Sequence, residues 1–320
     1  MSWLVEHVRA ILEAFTSVEP AWIALALAFQ LGNLACRSTA WRNVLASAFP
    51  QDAPTVTGVG RAYAIGVGLN GWLPARGGDA AKIALVRGQL QHSNAVAITT
   101  SCTVLVVVDS LIGLTLLAIA GATGAVPLPS AHDLLARASS SLPLIAAVGA
   151  VLLVALAIAS RRYASRIRSG FAHARQGLSI LRSPLHWARS VLSIQLLAWS
   201  CRIGMAFCML AAFSIPATPQ LAALVVVVGG MSTLVPVPGG AGTQQALAAF
   251  VLAGVASTSH ALAFSVGMQV GVTAVNTTIA LLAAMWAFGH LHPMRALRAA
   301  AAAGRPATPV LPEPLPDAVG

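Results

Sequence analysis

Apolar residues fall along this chain in runs too long for a soluble core. Continuous stretches occupy about 21–36, 95–120, 142–160, 190–213 and 261–289, and a helix crossing the hydrocarbon needs roughly 20 residues. Two further regions, about 56–90 and 221–257, are apolar but broken near their middles by proline and glycine. The pattern predicts an all-α, polytopic membrane helical bundle. Its transmembrane domain covers 21–290, between an N-terminal interfacial segment (1–20) and a tail (291–320). Residues 1–19 contain Glu6, Arg9, Glu13 and Glu19 and read as a short amphipathic helix at the membrane surface, not as a cleavable signal peptide. The tail is rich in Ala and Pro, has no periodic apolar face and is expected to be disordered.

Composition agrees. Of 320 residues, 57% are hydrophobic and only 9% are Asp, Glu, Lys or Arg, where a soluble domain carries about 25% charged residues. The mean hydropathy of +0.80 makes the bilayer the natural solvent.

The net charge of +10 does not point to nucleic acid, because the basic residues sit in loops between apolar runs. They read as topology signals. Between 161 and 189 there are seven arginines and no acid, which predicts a cytoplasmic loop. Arg37 and Arg42 behind the first span, Lys82 and Arg87 behind the first broken region, and Arg295 and Arg298 after the last span are expected on that side too. The opposite loops, about 121–141 and 214–220, hold Arg137 as their only basic residue. These sides agree only if each broken region enters and leaves on one face, the first from the cytoplasm and the second from outside. Both are therefore expected to be re-entrant helix hairpins, the alternative being ordinary loops between full spans.

The first break reads Asn70-Gly-Trp-Leu-Pro74-Ala-Arg76-Gly77-Gly78-Asp79, with Lys82 close behind. The second reads Ser232-Thr-Leu-Val-Pro236-Val-Pro238-Gly239-Gly240-Ala-Gly242-Thr243, with Gln245 two residues on. Both hold Pro-x-x-Gly-Gly, and the chain has no other copy. Two copies in matching contexts suggest an internal repeat: span 21–36, hairpin and span 95–120 correspond to span 190–213, hairpin and span 261–289 in the opposite orientation, with 142–160 as connector. Inverted repeats with broken helices meeting near mid-membrane are a transporter signature. Proline ends the incoming helix, and paired glycines permit a sharp reversal and close approach of a ligand. Asp79 and Thr243 are expected as N-caps of helices 80–90 and 244–256. Each hairpin would then aim a helix N-terminus at the centre of the protein, and with Arg76 this suits a phosphate-bearing head group.

Arg61, Asp109 and Arg202 lie within apolar runs, where a lone charge costs at least about 2.5–3.5 kcal/mol. They must face a cavity or one another. Asp109, near the middle of its run, is expected to find a basic partner such as Arg76 or Arg202, either in a substrate path or as a buried pair that fixes helix packing. Cys36, Cys102, Cys201 and Cys208 lack ligand spacing and read as core residues. The histidines at 92, 132, 173, 186, 290 and 292 fall in loops or at span ends. No Ser-His-Asp order, HExxH, Walker loop or carboxylate pair stands out, so no catalytic residue, metal or cofactor is assigned.

Together Arg37-Ser-Thr-Ala-Trp41-Arg42, Asn70…Leu73-Pro74-Ala-Arg76-Gly-Gly78-Asp79…Lys82, Asp109 and Val235-Pro236-Val-Pro238-Gly239-Gly240-Ala-Gly242 resemble the flippase-like transmembrane domain of lysylphosphatidylglycerol synthases, over about residues 20–290. The resemblance implies a stand-alone member in the bacterial inner membrane, multi-pass with a cytoplasmic C-terminus, that moves a modified lipid between leaflets. Where the family commonly has Glu after the second glycine motif, this chain has Gln245, which removes the acid a cationic head group would meet. No counterpart of the synthases' soluble aminoacyltransferase domain occurs in these residues, so lysyl transfer is not implied.

The expected function is a lipid flippase or lipid transporter, with a phosphate-bearing membrane lipid as substrate. Its head group would be held by Asn70, Pro74, Arg76, Gly77, Gly78, Asp79, Lys82, Asp109, Arg202, Pro236, Pro238, Gly239, Gly240, Gly242, Thr243 and Gln245. The competing readings are an accessory subunit presenting lipid to a glycosyltransferase or hopanoid enzyme encoded nearby, and an intramembrane transferase using Asp79 or Asp109 as base. An oligomer is compatible with either.

Overall fold

The computed structural model describes residues 18–73, 77–122, 177–234 and 242–288, and among them every regular element is a helix. The N-terminal segment before 18, the expected connector 142–160, most of the arginine loop and the tail lie outside the described residues, as do Pro74–Arg76 and Val235–Ala241 of the two breaks.

The elements in chain order are α1 Pro20–Ala48, α2 Val56–Asn70, α3 Gly77–Arg87, α4 Ala95–Ala122, a 3-10 turn Ser179–Arg182, α5 Pro184–Ala212, α6 Pro219–Gly230, a 3-10 turn Met231–Leu234, α7 Thr243–Val251 and α8 Thr258–Phe288. Local chemistry sets many of the starts. Pro20 and Pro219 occupy the first turns of α1 and α6, where a missing N–H costs nothing. The side chains of Thr55, Asn94, Thr218 and Ser257 accept from the N–H of Gly58, Ala97, Leu221 and His260 and so cap α2, α4, α6 and α8.

Among the described residues three helices, α4, α5 and α8, are long and apolar enough to cross a membrane. Helix α1 is as long as α5 but carries Gln30, Asn33 and Arg37 in its middle. It lies antiparallel along α5 over their whole length: Glu19 N–H donates to Ala212 C=O at 3.3 Å, Gly204 sits against the Phe29 ring, Gly32 against Cys201 Sγ, and Asn43 Nδ2 donates to Ser190 C=O at 2.8 Å. A helix matched in this way to a spanning partner lies at the same depth. The Asn43 bond reaches a π turn, Ala188–Leu192, near the start of α5.

The first apolar run therefore does not end at residue 36. Arg37, expected beyond the span, lies three residues from the midpoint of α1, and the helix continues to Ala48 because that charge is neutralised from α4. The expected caps also move: α3 begins three residues early, at Gly77 with Asp79 in its first turn, and α7 begins one residue early, at Thr243 behind Gly242. Gly77 and Gly78 join the helix they were expected to precede.

Packing repeats from one half to the other. α2 packs on α1 as α6 packs on α5; α3 closes on α2 and on α4 as α7 closes on α6 and on α8; α8 lies on α2 as α4 lies on α6. Two apolar clusters follow these halves, one around Trp41, Leu45 and Ile98 and the other around Leu210, Leu252 and Phe264.

Candidate functional site

Asp109, in the centre of α4, is the hub of the polar interior. Its Oδ2 accepts from Arg37 Nη2 of α1, and its Oδ1 accepts from Trp199 Nε1 at 3.0 Å and Gln195 Nε2 at 3.2 Å, both from α5. The carboxylate thus has a charged partner and two neutral donors, the condition under which a buried ion is tolerated. Arg37 in turn donates through Nε to Tyr63 Oη of α2 at 2.9 Å. The expected partners of Asp109 were Arg76 or Arg202. The ion pair is instead with Arg37, while Arg202 lies over the Trp199 ring, 4.6 Å from its centroid.

Tyr63 links this hub to the first hairpin. Its ring lies 5.4 Å from Lys82 Nζ of α3, and Trp41 of α1 lies 5.5 Å from the same ammonium, within cation–π range. Lys82 is 9% exposed and pairs with Asp79 at 2.9 Å, one turn earlier. Asn70, at the end of α2, donates to the same Asp79 oxygen at 3.0 Å. The two helices approach this closely because both contact residues are glycine: a Cβ on Gly78 would stand 2.0 Å from the Gly66 carbonyl oxygen. A larger residue at either position would push Lys82 away from the rings that hold it.

The second break is arranged differently. Gly242 has φ +81°, a left-handed conformation that glycine adopts without strain. Its N–H donates to Gln245 Oε1 at 2.7 Å, and Gln245 Nε2 donates to Gln269 of α8. Gln245 thus fastens the start of α7 to α8, which an ionised carboxylate, having no donor, could not do for an amide oxygen.

Of the residues expected in the site, Asn70, Gly78, Asp79 and Lys82 form one cluster, with Gly77 at the start of the same helix. Asp109 and Arg202 stand at the other end of a chain running through Tyr63, Arg37 and Trp199. Gly242, Thr243 and Gln245 lie at the second break. Pro74, Arg76, Pro236, Pro238, Gly239 and Gly240 are outside the described residues. Arg37, Trp41, Tyr63, Gln195 and Trp199 were not anticipated as site residues. Gln195 carried the clearest missed signal, a fully buried amide inside the apolar run 190–213, of the kind that also flagged Asp109.

Arg61 stays apart, over the Trp286 ring at 4.9 Å. A cavity of about 460 Å³ lies between α1, α5 and α8, lined by apolar side chains including Met205, Met209 and Val272, with Gln30 as its polar member. Gln30 Nε2 donates to Asn276 Oδ1 at 2.8 Å.

Among known proteins, no curated sequence and no solved structure matches this chain. The family profile described as Lysylphosphatidylglycerol synthase TM region matches residues 1–300. With spanning helices, an all-helical fold and that match over nearly the whole chain, the protein belongs to the lysylphosphatidylglycerol synthase transmembrane-region family and is a multi-pass membrane protein with a lipid-related function.

Proposed function

We propose that the chain is a lipid flippase or transporter that carries a phosphate-bearing lipid across the bacterial inner membrane, its C-terminus in the cytoplasm. The observation that carries this reading is the line of polar groups from Asp79 and Lys82 through Tyr63 and Arg37 to Asp109, Trp199 and Arg202. Ionisable groups at this depth are expensive and mark substrate paths. A scaffold would be more stable without them.

The hairpins support it. α2 and α3 have 15 and 11 residues, and α6 and α7 have 12 and 9, which at 1.5 Å per residue makes each shorter than about 23 Å, against a hydrocarbon core of about 30 Å. Helices of that length, closed on one another and broken by Pro and Gly, suit re-entrant hairpins in two inverted repeats. Substrate in such folds binds where the hairpins meet. Lys82 and Arg76 would take the phosphate, while the acyl or isoprenoid chains remain in the bilayer.

The test is transport in proteoliposomes carrying a fluorescent phospholipid, read by quenching from outside. The wild-type protein is expected to expose inner-leaflet lipid to the quencher, and Lys82→Met to lose most of that activity while remaining inserted. Wild-type vesicles indistinguishable from protein-free vesicles would reject transport and favour the accessory role.

A further inference from the structure

We infer that Arg202 is a mid-membrane binding site for the phosphate of a lipid, a step that rests on the transport reading and specifies one contact within it. The argument begins with a count of charges. Arg37, Asp109 and Arg202 all lie near the midpoints of their helices, so two guanidiniums share one carboxylate. Asp109 is engaged by Arg37. Of the other carboxylates among the described residues, Asp79 holds Lys82 and Asp52 holds His92, while Glu19 stands at the start of α1. Arg202 is half-buried and lies over an aromatic face; among the described residues it makes no ion pair of its own, and Asp109, already bound by Arg37, acts on it only from a distance.

The repeat explains how this excess arose. Gln30-Leu31 and Cys36-Arg37 of α1 recur with the same spacing as Gln195-Leu196 and Cys201-Arg202 of α5. Arg202 is thus the counterpart of Arg37. The caps give the register of the remaining elements: Asn94 starts α4 as Ser257 starts α8. Asp109 follows its cap by fifteen residues, and the residue fifteen beyond Ser257 is Val272. Val272 lines the apolar cavity with Met205, one turn from Arg202 on α5. In the first half the arginine is neutralised from the following long helix; in the second that position is a valine beside an open cavity. A cation with no ion pair of its own among the described residues, next to space that accepts an apolar chain, is complementary to a lipid phosphate with its acyl chain alongside. Arginine binds that group through paired N–H donors.

The test uses purified full-length protein in neutral detergent, with thermal unfolding read against added phosphatidylglycerol, diacylglycerol or inorganic phosphate. Phosphatidylglycerol should raise the unfolding temperature of wild type in a saturable way, and diacylglycerol should not. Arg202→Gln should weaken phosphatidylglycerol binding by about tenfold or more, Arg202→Lys by less, and Val272→Asp should weaken it as much as Arg202→Gln by supplying the missing carboxylate. Unchanged affinity in Arg202→Gln would overturn the site. Equal stabilisation by inorganic phosphate would show a free-anion site and reject the lipid. If Arg202→Gln loses the lipid while wild type fails the transport assay, the site stands and transport falls; if the variant binds normally and wild type transports, the reverse holds.

Discussion

Cys36 on α1 lies beside Cys201 on α5, and these two residues occupy the same place in the two copies of Gln-Leu-x-x-x-x-Cys-Arg. A residue that touches its own repeat counterpart lies on the axis relating the copies. In the inverted-repeat reading, the α1–α5 seam is that axis.

The contact predicts a cross-link. In a protein with Cys102 and Cys208 replaced by Ala and a protease site inserted near residue 140, mild oxidation should leave the two halves joined after cleavage. Separation of the halves on a non-reducing gel would show that α1 and α5 do not pair in this register.

The ion pair at the hub should behave as a buried pair does. Asp109→Asn leaves Arg37 with no charged partner and is expected to cost about 3–5 kcal/mol, seen as a lower unfolding temperature in detergent. The double variant Arg37→Gln, Asp109→Asn should recover most of that loss. A double variant as unstable as the sum of the singles would mean that the two side chains do not interact.

Glycine at the hairpin is a matter of space, not of flexibility. Gly78→Ala must part α2 from α3 and should destabilise by about 1–3 kcal/mol. Gly60→Ala on the same α2 meets nothing within 4 Å and should stabilise by about 0.5–1 kcal/mol through helix propensity. Equal effects at both sites would contradict the close approach of the two helices.

Outside the spans, Asp52 accepts from the His92 ring at 2.7 Å and from the His92 N–H at 3.1 Å. These bonds hold its carboxyl below the ordinary value of 3.8, the ring bond contributing most. Because the folded pKa is the lower one, the stabilisation is fully present above the unfolded value and is lost as pH falls through the folded value. Thermal unfolding followed toward acid should thus fall more steeply for wild type than for Asp52→Asn, and parallel curves would remove this contact from the acid response.

Much of the architecture was legible in the sequence because the bilayer imposes long apolar runs and because proline and paired glycine are hard to mistake. The spans of α4, α5 and α8 and the breaks around 74 and 236 followed from those signals. The partner of Asp109 did not. Arg37 follows an apolar run and looks like a charge that ends it, and only the tertiary pairing from α4 shows why the helix continues to Ala48. The caps slipped for a related reason: Asp79 is a good N-cap by residue type, but in the structure its carboxylate is taken by Asn70 and Lys82 while the glycines before it become helical. The proposed repeat was suggested by the two Pro-x-x-Gly-Gly motifs, whereas the shared Gln-Leu and Cys-Arg pairs mattered only once α1 and α5 lay side by side.

The seat of α2 on α8 bears on how the chain is made. Gly68 and Gly71 press against Asn276, Ala280 and Thr273, and Trp72 Nε1 donates to Thr277 Oγ1 at 2.9 Å, a contact between residues 205 apart in sequence. At about 5–20 residues per second, a ribosome needs roughly 10–40 s to cover that distance. Through that interval the first hairpin is in the membrane without the helix that covers its glycine face, and α8, made last among the described helices, is the one that closes it. An insertase or lipid must shield α2 in the meantime, so truncation before α8 should leave a nascent protein exposed to membrane quality-control proteases rather than a stable half.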